Sequence, residues 1–258
     1  LGFNMSGETD GGLGVAAYYE IGGGALDDYD MTLSGDWGSL KFNGSGSSSA
    51  LGAIDDVTPN AYEEAWDIVD YDGTLTVGAP TVIGGGGGTN MFIYTSPSFS
   101  GATITAAYQN DGGAAAVAGS YHDFAIAVSP EAVEGLTLGY GAGSVPVAGN
   151  EIEKDNSTMY VKYAIGGFTV GYQQSESDHD TTSSSQDSMA YGVTYAVNDD
   201  FSIGYSYHEL ESELTTDQDQ ESTGISFSYT SGGMTLGGAM NEVENMGFAA
   251  ATDREGYE

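Results

Sequence analysis

The stretch 189–197 reads MAYGVTYAV, and its larger apolar residues alternate with small ones. In a β-strand successive side chains point to opposite faces, so this pattern predicts a strand with one apolar face and one face of small residues. The stretches 201–208 (FSIGYSYH) and 159–165 (MYVKYAI) have the same period of two. Strands of this kind therefore predict an all-β fold.

Outward from these stretches, the alternation recurs along the whole chain and predicts fourteen strands. Short turns, such as 10–12 and 231–233, alternate with long acidic loops at 44–89, 109–118, 143–156, 175–187 and 209–220. This alternation of short and long connections is typical of an antiparallel up-and-down meander. The predicted strands lie near 1–9, 12–21, 28–35, 39–44, 90–97, 100–109, 119–129, 134–142, 157–165, 167–175, 187–196, 201–209, 220–230 and 233–242.

The two faces of these strands indicate a membrane protein. A soluble β-sandwich or jelly roll exposes charged residues, whereas here the second face is mostly Gly, Ser, Thr and Ala. An apolar face toward lipid and a small polar face toward a wet lumen predict a transmembrane antiparallel β-barrel. Tyrosines near the strand ends are expected in the interfacial girdles: Tyr18, Tyr19, Tyr108, Tyr140, Tyr172, Tyr207 and Tyr229.

Composition excludes several classes of function. The chain has 38 acidic against 4 basic side chains, a net charge of −34, so it cannot bind nucleic acid by neutralising phosphates. It has no cysteine, and its histidines (122, 179 and 208) are too scattered to predict a metal centre or a catalytic site. No stretch approaches the roughly 20 apolar residues of a transmembrane helix. An enzyme is therefore not predicted.

The chain begins within a strand pattern and stops at 256–258, so we expect one barrel domain over 1–258 that is incomplete at both ends. Bacterial single-chain barrels have even strand numbers, which makes sixteen strands the natural completion, with eighteen left open. A barrel of that size encloses an aqueous lumen.

The loop 44–89 is unusually long for a compact domain, which favours a functional role. We expect it to fold inward as a constriction of the lumen; a solvated acidic surface loop, or a helix near 60–69, stays open. Its acidic residues are Asp55, Asp56, Glu63, Glu64, Asp67, Asp70 and Asp72. By strand parity, Lys41 and Lys162 point into the lumen and complete the predicted constriction site. The alternative for Lys41 is a position at the rim of the barrel, from which its side chain extends into water.

Paired carboxylates suit Ca²⁺, which accepts six to eight oxygen ligands in flexible geometry. Asp55 with Asp56, and Asp178 with Asp180, are therefore candidate calcium ligands, with solvated charge as the alternative. Calcium would also allow so acidic a chain to contact lipopolysaccharide phosphates.

Three strings carry a family resemblance: 3–13 (FNMSGETDGGL), 33–38 (LSGDWG) and 50–52 (ALG). They resemble the general diffusion porins of alphaproteobacteria, the Rhodobacter type, and 92–96 (FIYTS) resembles the strand that leaves the constriction loop of that family. The resemblance rests on specific residues over 1–60 and 90–108. Over the rest of the chain, to residue 258, it rests only on the pattern of alternating strands. It implies a sixteen-stranded barrel, a homotrimer, an outer-membrane location and passive diffusion of small hydrophilic solutes.

This sequence departs from the family in one respect. Such porins set an arginine and lysine cluster on the barrel wall against the acids of the loop, whereas this chain has only Lys41, Lys154, Lys162 and Arg254. We therefore expect a negative lumen and a preference for cations. Two alternatives remain: a sugar-specific channel in which Trp66, Tyr62 and Tyr71 contact the sugar, and an acidic soluble adhesin.

Overall fold

The computed structural model describes residues 1–66, 83, 89–110, 120–146, 153–179, 185–213, 218–248, 250 and 252–257. Within these residues, fifteen strands form one sheet in which each strand pairs with the next along the chain. Every pairing is antiparallel, which confirms the predicted up-and-down meander. No helix within the described residues is long and apolar enough to cross a membrane.

The strands are bounded as follows. They are β1 (Gly2–Glu8), β2 (Gly14–Gly22), β3 (Ala25–Gly35), β4 (Gly38–Ser45), β5 (Met91–Thr95), β6 (Ala102–Gln109), β7 (Tyr121–Val128), β8 (Leu136–Pro146), β9 (Glu153–Ile165), β10 (Phe168–His179), β11 (Gln186–Ala196), β12 (Phe201–Ser212), β13 (Gln220–Ser231), β14 (Met234–Glu244) and β15 (Arg254–Tyr257). One 3₁₀ turn, Met246–Phe248, precedes β15.

The pairing register gives the sheet two faces, because residues directly opposite each other in neighbouring strands share a face. One face, called the inner face here, carries Asn43, Asp123, Gln173, His208 and Asn241. The opposite, outer face exposes large apolar side chains, among them Phe3, Met5, Met31, Phe92, Ile104, Phe124, Leu138, Met159, Val170, Ile203, Phe227 and Met240. An apolar face exposed in this way is what the barrel prediction requires.

The tyrosines predicted for the girdles divide between the faces. Tyr19, Tyr108, Tyr140, Tyr172 and Tyr229 are exposed on the outer face, and Tyr207 shares that face. The prediction is wrong for Tyr18, which lies opposite Asn4 and Asp30 and donates a hydrogen bond to Glu20. Tyr18 and Tyr19 are neighbours in one strand, so only one of them can face outward.

Several strands extend further than the alternation predicts. β8 reaches Pro146 and β9 begins at Glu153, while β10 reaches His179 and β11 begins at Gln186. The predicted loops 143–156 and 175–187 are therefore mostly strand. Backbone ladder bonds continue where the alternation of apolar and polar side chains has ended, and apolar periodicity cannot detect such ends. β15, at four residues, is too short to show a period and was not among the fourteen predicted strands.

Candidate functional site

The connection between β4 and β5 runs back over the inner face of the sheet. Its described parts are residues 46–66, 83 and 89–90, of which 49–66 are called the docked segment here. The amides of Ala50 and Leu51 donate to the two carboxylate oxygens of Asp123, at 3.2 and 2.7 Å, and the Tyr121 hydroxyl donates to the same carboxylate at 2.5 Å. These donors compensate the burial of the charge, since Asp123 is 5% exposed.

The middle of the docked segment is held by Gln173 on β10. Its Nε2 donates to the carbonyl oxygens of Ile54 and Asp55, both at 2.8 Å. Its Oε1 accepts a hydrogen bond from the amide of Val57 at 3.0 Å. One buried side chain thus satisfies three backbone groups of the segment.

Beyond Val57 the segment lies directly on glycine backbone. A Cβ on Gly171 would overlap the ring of Pro59, and a Cβ on Gly192 would overlap the carbonyl oxygen of Pro59. Glycine at these two positions lets the segment approach more closely than any other residue would allow.

The last described part of the segment crosses β12 to β14. The amide of Ala61 donates to Ser226 Oγ at 3.1 Å, and Asn241 Nδ2 donates to the carbonyl of Glu64 at 2.8 Å. The ring of Trp66 packs against His208, with 4.8 Å between the ring centroids. The predicted inward fold is therefore confirmed for residues 49–66, and the alternative of a solvated surface loop is wrong for them. No helix forms over 60–66.

The predicted constriction acids differ in their surroundings. Asp56 is exposed, while Asp55, Glu63 and Glu64 are half-buried. Burial raises the pKa of the Asp55 carboxyl, and hydrogen bonds from the backbone at Asp55 and Asp56 oppose this shift. Glu64 accepts a hydrogen bond from Asn60 at 2.7 Å. The predicted site residues Asp67, Asp70 and Asp72 lie outside the described residues.

The two predicted lysines lie on the inner face. Lys41 Nζ is 3.1 Å from a carboxylate oxygen of Asp30 and donates to Ser47 Oγ at 2.7 Å. This is the only ion pair among the residues that the structure describes. Lys162 is opposite Gly171, beneath the docked segment, and is half-buried. A role of either lysine in a constriction stays a prediction.

The candidate calcium ligands are not brought together in the described residues. Asp178 accepts a hydrogen bond from Ser185 at 3.2 Å, and Asp180 lies outside the described residues. Over the described ranges, no group of three or more His, Asp and Glu side chains is placed to hold a metal ion. Calcium binding therefore stays a prediction.

The three aromatic residues of the sugar-channel alternative differ in their surroundings, and this alternative stays a prediction. Trp66 is 8% exposed and covers His208, whereas Tyr62 is 37% exposed and lies over Gly237. Tyr71 lies outside the described residues.

The sequence did not identify the residues that hold the segment. Asp123, Gln173, Ser226 and Asn241 are ordinary members of strand patterns, and their partners are 72 to 177 positions away in the chain. One signal was present: Asp123 is a carboxylate within an otherwise apolar strand end, DFAIAV. A charge on the small-residue face of a strand needs a partner, and that partner is the segment.

Comparisons with known proteins agree with this geometry. Residues 1–255 match a protein family described as Gram-negative porin. The fold is similar to the anion-selective porin from Comamonas acidovorans (17% identity, 99% of this chain and 83% of that chain, TM-score 0.66). It is also similar to the trimer form of OmpT from Vibrio cholerae (12% identity, 100% of this chain and 90% of that chain, TM-score 0.67). A third similar structure is a mutant of Rh. blastica porin (14% identity, 99% of this chain and 86% of that chain, TM-score 0.63).

At these identities the solved structures show the fold alone, and no curated protein sequence matches the chain. The family match excludes the soluble sandwich and the adhesin. Because the match covers nearly the whole chain and the apolar face of the sheet is turned outward, the chain belongs to the Gram-negative porins, the channel proteins of the outer membrane.

Proposed function

We propose that this porin is a water-filled channel for passive diffusion of small hydrophilic solutes, with a preference for cations. The observation that carries the proposal is the charge on its inner side. Asp55, Asp56, Glu63 and Glu64 lie on the inward-folded loop, while Lys41 on the wall is paired with Asp30.

This pairing bears on selectivity. A wall lysine 3.1 Å from a carboxylate contributes little net positive potential to the lumen. The acids of the loop then dominate, and negative side chains near a constriction attract cations and repel anions. The similar porin from Comamonas acidovorans is described as anion-selective, but at 17% identity the likeness shows the fold alone and does not bear on the selectivity of this chain.

The test is a reversal-potential measurement in planar bilayers under a KCl gradient. We expect the permeability for K⁺ to exceed that for Cl⁻ in dilute salt. The preference should shrink as the Debye length falls from about 10 Å at 0.1 M to about 3 Å at 1 M salt. Anion preference in dilute salt would contradict the proposal.

The proposal includes a homotrimer embedded in outer-membrane lipid and lipopolysaccharide. Its support is the apolar outer face and the likeness to an OmpT structure described as a trimer form. Light scattering of the detergent-solubilised protein, corrected for bound detergent, gives the number of chains; a monomer at all concentrations would contradict this part.

A further inference from the structure

We propose that Gln173 is a positioning residue that fixes the docked segment against the wall and thereby sets the open width of the channel. The inference rests on the proposed channel function. It adds a specific residue, distant in sequence from the loop, on which the conductance depends.

The side-chain amide of Gln173 both donates hydrogen bonds to the backbone of the segment and accepts one from it. It donates to the carbonyls of Ile54 and Asp55 and accepts from the amide of Val57, all at 2.8 to 3.0 Å. Only an amide side chain has two N–H donors and a carbonyl acceptor at its tip, and asparagine is one methylene shorter. The side chain is 3% exposed, so water does not compete for these bonds while the segment is docked.

Two buried hydroxyl groups of the wall adjoin the amide. Gln173 Nε2 also lies 2.8 Å from Thr158 Oγ1, and that oxygen is 2.7 Å from Ser175 Oγ. Thr158 and Ser175 are both buried. The Gln173 amide therefore contacts the wall as well as the segment, which anchors it at the point where the segment docks.

The position of Gln173 within the contact explains its importance. On its C-terminal side the segment lies on Gly171 and Gly192, which allow close contact but provide no side-chain hydrogen bond. The next side-chain hydrogen bond to the wall is that of Ala61 with Ser226. Gln173 thus fixes the position of the segment along the strand direction. It does so just before the point where the segment passes over the two glycines.

The first test compares Gln173→Leu with Gln174→Leu. Gln174 is the adjacent residue of β10, but it is exposed on the outer face and is the matched control. In single-channel recordings we expect Gln173→Leu to show about tenfold more frequent brief conductance changes, equivalent to about 1.4 kcal/mol. Gln174→Leu should behave as the unsubstituted channel.

A second variant gives a readout that a general packing defect would not give. In Gln173→Glu the ionised carboxylate faces two carbonyl oxygens and cannot donate to them. Once protonated it regains one donor. We therefore expect the excess conductance changes at neutral pH to decrease more steeply in Gln173→Glu than in Gln173→Leu when the pH is lowered, because in the leucine variant only the acids of the loop, such as Asp55, still titrate. If Gln173→Leu does not fold, Gln173→Glu alone tests the positioning role.

An engineered disulfide between the segment and the wall tests whether the effect of Gln173→Leu can be reversed. The chain has no cysteine of its own, so only the introduced pair can form a disulfide. A Cβ at position 204 would lie 3.3 Å from the Cβ of Ala61 and 2.9 Å from its amide nitrogen, so a shift of a few tenths of an ångström brings the pair into the 3.5–4.5 Å of natural disulfides. Adding Ala61→Cys and Gly204→Cys to Gln173→Leu should restore steady conductance when oxidised, and reduction should remove the effect.

The outcomes separate the two proposals. If the unsubstituted protein forms no channel, the proposed function is wrong. If it conducts and a folded Gln173 variant conducts identically, the positioning role is wrong. Excess conductance changes that persist with the disulfide formed would assign the effect to the wall and would also overturn the positioning role.

Discussion

Among single residues, Asp55 combines a charge with partial burial. The docked segment brings its carboxyl close to the wall, and this burial raises its pKa above the ordinary value of 3.8. Since folding raises this pKa, the protonated form favours the docked segment. That contribution is complete below the ordinary pKa and is lost as the pH rises through the raised value. Acidification should therefore favour docking and remove one charge from the loop.

We expect the cation preference to fall in a step when the pH is lowered through the raised pKa of Asp55. Asp55→Asn should remove this step, because the titrating carboxyl is gone. Asp56→Asn, its exposed neighbour, is the control and should lower the preference at neutral pH while keeping the step. Reversal potentials measured from pH 7 downward give the result. A step that persists in Asp55→Asn would assign the titration to another acid.

His208 is buried at 1% exposure, and neither of its ring nitrogens has a hydrogen-bond partner in the described part of the chain. Its ring nevertheless packs on Trp66. We expect His208→Phe to keep this ring contact and to leave the thermal stability unchanged or raised by about 1 kcal/mol, because an unpaired buried polar group is removed. Calorimetry in detergent checks this. A clear loss of stability would show that the imidazole nitrogens are bound after all.

Among the structural elements, the docked segment depends on the strands for its position, whereas the strands do not depend on the segment. The strands satisfy their backbone groups through ladder bonds, whereas the docked segment depends on side chains of the wall. Deleting residues of about 55–72 should therefore enlarge the single-channel conductance while the barrel still assembles. Heat-modifiable migration in gels checks assembly. An unchanged conductance from a folded deletion variant would place the segment outside the conducting path.

The glycines beneath the segment make a separate prediction. A Cβ on Gly192 would overlap the Pro59 carbonyl, whereas nothing lies within 4 Å of a Cβ on Gly7. We expect Gly192→Ala to displace the segment and alter the conductance, and Gly7→Ala to leave it unchanged. Equal conductance of the two variants would show that Pro59 adjusts without moving the segment.

The sequence predicted the elements better than it predicted their contacts. Alternation identified fourteen of the fifteen strands because lipid-facing side chains repeat at every second residue. It missed the polar strand ends of β8 to β11, where pairing continues without that repeat. It also missed the contacts of Asp123 and Gln173, because a long-range hydrogen bond leaves no local pattern. The inward fold of the loop was predictable from its length alone.

For the whole molecule, the dominant physical fact is the net charge of −34. Three such chains in the proposed trimer repel one another unless counter-ions screen or bridge them. Calcium on Asp178 with Asp180 would bridge them and reach lipopolysaccharide phosphates, whereas calcium on Asp55 with Asp56 would lie on the inner face and could do neither.

A chelator at low salt should therefore lower the melting temperature of the oligomer, and Ca²⁺ should restore it better than NaCl of equal ionic strength. Equal restoration by NaCl would leave diffuse screening as the explanation. No response to the chelator would remove the calcium prediction.

The contacts of the docked segment also bear on the order of assembly. The Asn241 bond to Glu64 joins residues 177 positions apart, and the Gln173 bonds join residues 116 to 119 apart. Contacts between residues so distant in sequence form late, since each closes a long stretch of chain. The last of them requires β14 to be in place. The contact with Asp123 requires only β7, so we expect the segment to dock in stages and the lumen to reach its final width only after nearly all of the strands have paired.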